Sequence, residues 1–158
     1  MLRPTLLLLL AALPCCALAA PFAYVPNEGS GTISVIDTAT DRVVAEMPGG
    51  SKPRGLAVGR HWLYVSDQPN NRLQLVDLES RKPGAVVALG ESPEGVSISP
   101  DGRWVVAAVE GHNEVAVTDT LSNTLAFAIP VRGKNPEHAV FSPDGRLLFV
   151  SAEEGDAV

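Results

Sequence analysis

Residues 142–151 read SPDGRLLFVS, and a close copy, SPDGRWVVAA, stands at residues 99–108. Proline presets φ, the following Asp-Gly pair completes a tight turn, and an apolar run of β-forming residues comes next. The stretch therefore predicts a β-hairpin. Because it recurs, it also predicts a repeat architecture.

Three kinds of landmark recur in the chain with offsets of 40, 42 or 43 residues. They are the acids Asp37, Asp77 and Asp119, the prolines Pro53, Pro93 and Pro136, and the apolar positions Tyr24, Tyr64, Val106 and Phe149. This period, with only strand and turn signals inside each unit, is typical of propeller blades rather than of helical solenoids. Alternating apolar residues predict four antiparallel strands per unit. The predicted fold is all-β, a β-propeller of four-stranded blades.

The repeats divide the chain into a leader and one domain. Residues 1–19 are predicted to be a secretory signal peptide, because Arg3 precedes an apolar run that ends in small residues. Residues 20–158 hold the repeats, in units of approximately 22–62, 63–104 and 105–147 and a partial unit at 148–158. The expected location is therefore periplasmic or secreted, with no membrane span in the mature chain.

About three and a half blades would form an incomplete ring, since propellers close with about four to eight blades. A fragment of a longer product is the favoured interpretation, because the last unit shows none of the polar changes usual in terminal repeats. The alternative is a subunit that completes its ring by self-association.

Both cysteines, Cys15 and Cys16, lie inside the predicted signal. Lipidation is disfavoured because small residues do not precede them. The mature chain has no thiol for a disulfide, a thiolate metal site or a c-type haem. The three histidines have no partner three or four residues away, so no metal site is predicted.

Net charge excludes one class of partner. The chain has 12 basic and 18 acidic residues, and loss of Arg3 with the signal leaves 11 against 18, or −7. Nucleic acid and anionic membrane surfaces are therefore not expected partners.

The conspicuous acids have a simple structural interpretation. Asp37, Asp77 and Asp119 each close a strand, where an aspartate accepts backbone N–H bonds of the following turn. One acid per blade also places them on separate sheets. The pairs Asp101-Gly102 and Asp144-Gly145 are interpreted as turn residues for the same reason.

The candidate binding residues follow the landmark prolines. Arg54, Glu94 and Glu137 come directly after them, where the innermost strands of a propeller begin around the central channel. They could bind a small polar ligand or a periplasmic protein, but a solvated rim is favoured because exposed charge pairs contribute little. His138 stands where other units have glycine, and His112 in a loop is a further candidate.

No catalytic constellation is visible. The chain has no G-x-S-x-G elbow, no H-E-x-x-H pair and no phosphate-binding glycine-rich loop. The protein is therefore expected not to be an enzyme, and no cofactor is evident. A noncovalent cofactor at the channel mouth stays open by analogy of fold alone.

The units resemble the YVTN family of β-propeller repeats, through YVPN at residues 24–27, TISVIDTAT at 32–40 and SPDGR at 99–103. Within it, the chain is most similar to the propellers associated with PQQ-dependent catabolism, through PEG at 93–95, SPDG at 99–102 and VSAE at 150–153. The resemblance implies a binding or scaffold protein beside PQQ-dependent alcohol oxidation and its transport system. The alternative is a cofactor-bearing propeller of a periplasmic oxidoreductase or electron-transfer system.

Overall fold

The structure is a computed structural model that describes residues 22–154, so the predicted signal peptide lies outside the described residues. The first seven strands are β1 (Phe22–Asn27), β2 (Thr32–Asp37), β3 (Arg42–Pro48), β4 (Pro53–Val58), β5 (Trp62–Asp67), β6 (Arg72–Asp77) and β7 (Pro83–Ala88). The others are β8 (Pro93–Ile98), β9 (Trp104–Val109), β10 (Glu114–Asp119), β11 (Thr124–Pro130), β12 (Lys134–Phe141) and β13 (Leu148–Glu154). Single 3-10 turns follow β5 (Gln68–Asn70) and β9 (Glu110–His112).

The strands form four antiparallel sheets whose order follows the chain. Sheet 1 contains β1 to β3, sheet 2 contains β4 to β7, sheet 3 contains β8 to β11, and sheet 4 contains β12 and β13. Strands that are neighbours in sequence pair through short turns. The described residues thus form an open arc of a β-propeller with four-stranded blades, which confirms the predicted fold class.

The blades and the predicted units share one period but differ in phase. Sheet 2 begins at Pro53 and sheet 3 at Pro93, so each complete blade starts with its innermost strand. The predicted units begin one strand later, at the landmark apolar residue. The hydrogen-bonded sheet is the physical unit, because backbone ladders join its strands to one another.

Apolar rows hold neighbouring sheets together. Successive side chains of a strand point to opposite faces of its sheet. Apolar residues on one face therefore contact the preceding sheet, and those on the other face contact the next sheet. The rows are Ile33, Val35, Met47, Leu63, Val65 and Val76 between sheets 1 and 2; Tyr64, Leu73, Leu75, Val87 and Val105 between sheets 2 and 3; and Val106, Val115, Val117 and Ala139 between sheets 3 and 4. Sheets 2 and 3 therefore have buried apolar residues on both faces.

The stretch at 142–151 joins β12 to β13. The N–H of Ser142 donates to the carbonyl of Leu147 at 2.9 Å, which closes the turn. Gly145 has a φ of +70°, a left-handed conformation in which glycine has no steric penalty. The recurrence of this stretch is architectural, since its copy makes the same turn between β8 and β9.

The innermost strands approach each other closely at two glycines. A Cβ at Gly55 would lie 2.6 Å from the carbonyl oxygen of Glu94, and one at Gly95 would lie 2.7 Å from that of Glu137. The buried hydroxyl of Ser66 accepts the Gly55 N–H at 2.8 Å and donates to the Glu94 carbonyl at 2.6 Å. Only glycine allows this spacing, so β4, β8 and β12 meet around the channel.

No helix within residues 22–154 is both long enough and apolar enough to cross a membrane.

We expect Gly55→Ala to lower the free energy of unfolding by about 1–3 kcal/mol, because the added methyl would overlap the backbone of β8. Urea denaturation of both proteins measures the difference. Gly29→Ala is the matched control, since a Cβ there meets nothing within 4 Å. Equal losses in the two variants would contradict the steric explanation.

Candidate functional site

The starts of the innermost strands surround one cavity. Arg54 on β4, Glu94 on β8 and Glu137 on β12 line a cavity of about 410 Å³, together with Glu28 and His138. We call it the mouth cavity. It exists because each landmark proline begins an innermost strand, and the close approach at the glycines brings the residues after those prolines together.

Arg54 lies at the centre of the mouth cavity. Its Nε donates to Glu94 Oε2 at 2.5 Å, its Nη1 donates to Glu28 Oε1 at 2.5 Å, and its Nη2 is 3.9 Å from Glu137 Oε2. Hydrogen bonds to Glu94 and Glu28 raise the pKa of Arg54, and the bond from Arg54 lowers the pKa of Glu28. The guanidinium thus links sheet 2 to carboxylates of sheets 1, 3 and 4.

Glu94 is buried rather than part of a solvated rim. Its side chain is only 2% exposed. Its second oxygen, Oε1, accepts a hydrogen bond from the Gln68 amide. A buried carboxylate needs such partners, because desolvation would otherwise neutralise it. The rim interpretation is therefore wrong for Glu94, since its burial depends on contacts between blades.

The sequence interpretation missed a second column of residues at the mouth. Its members stand four positions after the apolar landmarks and keep the same offsets of 40, 42 and 43: Glu28, Gln68, Glu110 and Glu153. Lys52 Nζ donates to Gln68 Oε1 at 2.8 Å, and the Ser92 hydroxyl donates to Glu110 Oε2 at 2.8 Å. The period that revealed the landmarks could have revealed this column as well.

Carboxylates collect on the Glu137 side of the cavity. Carboxylate oxygens of Glu110, Glu137 and Glu153 lie within 4.8 Å of one another. Burial raises the pKa of Glu137, and the negative charges of Glu94 and Glu153 raise it further. The mouth therefore combines a fixed ion pair at Arg54 with a carboxyl group at Glu137 that binds a proton more readily than an ordinary glutamate.

The two candidate histidines lie in different surroundings. His138 is exposed and lines the mouth cavity, with its Cδ2 only 2.8 Å from where a Gly95 Cβ would stand. His112 lies in the 3-10 turn after β9, with Nδ1 3.5 Å from Glu114 Oε1, and does not line the cavity. The structure thus brings together Arg54, Glu94, Glu137 and His138 but leaves His112 apart.

The acids interpreted as turn residues make turn contacts. Asp37, Asp77 and Asp119 lie on different sheets, and their Oδ1 atoms accept N–H bonds from Ala39 at 2.8 Å, Ser80 at 2.6 Å and Leu121 at 2.8 Å. The Oδ1 atoms of Asp101 and Asp144 accept N–H bonds from Arg103 at 3.0 Å and Arg146 at 3.1 Å, while Gly102 and Gly145 have φ values of +71° and +70°. Asp119 also pairs with Arg103.

Asp67 is a buried acid that sequence reasoning did not find. It is fully buried, and its Oδ1 accepts the N–H groups of Ser51 at 2.9 Å and Lys52 at 3.2 Å. Burial alone would raise the pKa of Asp67, but hydrogen bonds from Asn70, Lys52, Ser51 and Arg72 outweigh it and lower the pKa. Asp67 thus holds the loop that leads to Arg54. The other blades have Asn27, Val109 and Ala152 at this position, so the repeat carries no signal for it.

We expect Arg54→Ala to lower the free energy of unfolding by about 3 kcal/mol, because it leaves Glu94 buried without its cation. Adding Glu94→Gln should recover part of this loss, since a neutral amide is cheaper to bury. A double-mutant cycle by urea denaturation measures the coupling. Arg42→Ala, which removes an exposed arginine of β3, is the control. Additive effects of the two mouth substitutions would contradict the pairing.

We expect Glu137→Gln to be more stable than the parent at about pH 7. A pKa raised in the folded state means that ionisation weakens folding, so the parent loses stability as pH rises through that pKa. The advantage of glutamine should disappear below the ordinary glutamate pKa of about 4.3, where both side chains are neutral. Unfolding free energies measured across this range test the sign, and a variant less stable at neutral pH would refute it.

Comparison with known proteins supports the fold. A family model described as "Lactonase, 7-bladed beta-propeller" matches residues 87–158, a little under half of the chain. No curated protein matches the chain.

Two solved structures are similar to the described arc. Hydrazine synthase of Kuenenia stuttgartiensis has 24% identity and a TM-score of 0.80, over 86% of this chain and 40% of that one. A functionally unknown protein from Desulfotomaculum acetoxidans has 18% identity and a TM-score of 0.65, over 77% of this chain and 42% of that one. The chain therefore spans less than half the length of either structure. These likenesses show that the chain has a propeller fold.

Proposed function

We propose that the protein is a periplasmic β-propeller of the binding or scaffold type, which serves PQQ-dependent alcohol oxidation and its transport system without catalysing a reaction. The observation that carries the proposal is the buried Glu94–Arg54 pair beside the mouth cavity. Buried charges are held where a protein keeps polar groups in a defined arrangement, and a concave surface lets a partner reach them.

The mouth cavity is organised in advance for binding. Gln68 bonds to Glu94, Ser92 and Lys52, so the side chains behind the cavity are fixed in place. Binding to side chains that are already ordered loses less conformational entropy than binding to mobile ones. This arrangement supports recognition of a polar group that enters the cavity.

The excess of negative charge at the mouth cavity indicates which chemical groups a partner would present. The carboxylates Glu28, Glu94, Glu110, Glu137 and Glu153 outnumber the cations Arg54 and Lys52. Arg54 already binds two carboxylates, so it has little left for an anion. A ligand or protein surface that presents cationic or hydrogen-bond-donating groups therefore suits the mouth best.

A binding role also agrees with the hydrogen bonds of two serines near the mouth cavity, Ser66 and Ser92. The Ser66 hydroxyl donates to the Glu94 carbonyl, and the Ser92 hydroxyl donates to Glu110. A nucleophilic serine is usually activated by a histidine, and within residues 22–154 neither of these hydroxyls bonds to one. The assignment to PQQ-dependent oxidation rests on the sequence resemblance, and the periplasmic location rests on the predicted signal peptide.

A second candidate function is that of a cofactor-bearing part of a periplasmic oxidoreductase or electron-transfer system. The observation that favours it is the exposed imidazole of His138 at the mouth cavity, since histidine is a common haem ligand. One of the solved structures with this fold is named as an enzyme, hydrazine synthase.

We expect the complete protein, affinity-purified from the periplasm of alcohol-grown cells, to be colourless and to carry a PQQ-dependent dehydrogenase or a transport component. His138→Ser should reduce that enrichment about tenfold, the effect of losing one hydrogen bond to a charged group. Mass spectrometry and an absorption spectrum of the same sample provide the measurements. His112→Ser is the matched control, because His112 is exposed but lies outside the cavity lining.

The outcomes separate the two candidates. A visible chromophore that His138→Ser removes would favour the cofactor-bearing role. Enrichment of neither a dehydrogenase nor a transport component, relative to untagged cells, would refute the scaffold role. Equal loss in the two histidine variants would show that the partner does not contact the mouth cavity.

A further inference from the structure

A second cavity, of about 520 Å³, opens between sheets 2 and 3. It is lined by the turn between β4 and β5 and by the turn between β10 and β11. These turns lie at the opposite strand ends from the mouth cavity, because successive strands are antiparallel. We call this cavity the interblade groove, and its defining residues are Arg60, His61, Trp62, Tyr64, Ile98 and Leu121.

The interblade groove exists because one turn is short. In sheet 2, the Gly59 N–H donates to the Trp62 carbonyl at 2.9 Å, and the chain reverses within four residues. In sheet 3, the corresponding bond joins Ser99 to Trp104 at 2.8 Å, so that turn is two residues longer. The turn of sheet 2 thus lacks the Pro-Asp pair that the corresponding turns of sheets 3 and 4 contain, and the space beside it stays open.

The gap between the next two blades shows the effect of the longer turn. Between sheets 3 and 4, the cavity is about 340 Å³ and is lined by Pro100, Asp101, Asp144 and Gly145. The two projecting turns meet there, and no aromatic ring reaches the surface of that cavity. This cavity between sheets 3 and 4 thus lacks the aromatic lining of the interblade groove.

The rings of Trp62 and Tyr64 form the apolar base of the groove, which we call its floor, and neighbouring residues hold both rings in place. Tyr64 is 2% exposed, and its hydroxyl donates to Asn123 Oδ1 at 3.1 Å, which fixes the ring. The Trp62 ring packs on Gly84, where a Cβ would lie 2.5 Å from its Cζ3. Leu121, which is 81% exposed, stands at the edge of the groove. Flat apolar groups pack well against such aromatic surfaces.

Two hydrogen-bond donors of the groove, the Arg60 guanidinium and the Trp62 indole N–H, are unpaired within the described residues. Among residues 22–154, neither Arg60 nor the indole N–H of Trp62 has a hydrogen-bond or ion-pair partner. By contrast, Arg103, which directly precedes Trp104 in sheet 3, pairs with Asp119 and lies 4.5 Å from the Trp104 ring centroid. A guanidinium without a partner beside an aromatic surface is the arrangement that receives a carboxylate attached to a ring.

The acid that lines the groove does not occupy Arg60. Asp101 Oδ1 accepts the Ser99 hydroxyl at 2.5 Å and the Arg103 N–H at 3.0 Å, so Asp101 serves its own turn. Within residues 22–154, the groove thus holds an unpaired guanidinium in a chain of net charge −6.

We infer that the interblade groove binds a small aromatic carboxylate, with its ring against Trp62 and Tyr64 and its carboxylate at Arg60. Ring packing supplies the apolar contact, and the guanidinium supplies charge-assisted hydrogen bonds. The site is separate from the mouth cavity and shares none of its lining residues. Its occupation does not depend on the function proposed for the mouth.

Calorimetric titration of the complete protein with benzoate tests the inference. Benzoate should bind with one site per chain, and benzyl alcohol, a neutral molecule of similar shape, should bind about tenfold more weakly. Arg60→Gln should lower benzoate affinity by the same factor. Arg146→Gln is the matched control, because Arg146 is an exposed arginine in the corresponding turn of blade 4 and lies outside the groove.

Three results would overturn the inference. The first is the absence of benzoate binding up to its solubility limit, with circular dichroism showing a folded β protein. The second is equal affinity for benzoate and benzyl alcohol, which would exclude recognition of the carboxylate. The third is an equal response of the Arg60→Gln and Arg146→Gln variants, which would place the binding elsewhere.

Discussion

The close approach of the innermost strands is the constraint on which the rest of the arc depends. At Gly55 and Gly95 no room remains for a Cβ, and the backbone of one blade meets the backbone of the next. The Ser66 hydroxyl bridges the two strands at this point. Because the strands meet here, the residues directly after the landmark prolines come within ion-pair distance. The mouth cavity is a consequence of backbone packing.

Electrostatics then divides the mouth into two parts. Glu94 is buried, and each of its oxygens accepts one hydrogen bond, from Arg54 and from Gln68. Glu137 lies farther from Arg54 and faces two other carboxylates. Burial and like charges favour the protonated form of Glu137 and raise its pKa. One repeat position thus carries a buried carboxylate paired with Arg54 in one blade and a carboxyl group of raised pKa in another.

The two faces of the arc differ for a simple reason. At the mouth, the period places equivalent residues side by side, so that their charges interact across blades. On the opposite face, the length of one turn changes from blade to blade. The four-residue reversal at Gly59 leaves space for a cavity that is lined by Trp62 and Tyr64. Variation in a single turn is enough to create a cavity without altering the sheets.

The sequence by itself determined the all-β class, the strands of each blade and the column of residues at the mouth, because strand alternation and turn chemistry are local and repeat with a constant period. It also contained the column of Glu28, Gln68, Glu110 and Glu153, which the same period identifies. Only the tertiary structure decided that Glu94 is buried, that His112 lies apart from His138, and that Asp67 anchors the loop before Arg54. Those outcomes depend on contacts between residues distant in sequence, 16 positions apart for Asp67 with Ser51 and 40 for Arg54 with Glu94, and a local pattern does not record which side chains meet across that distance.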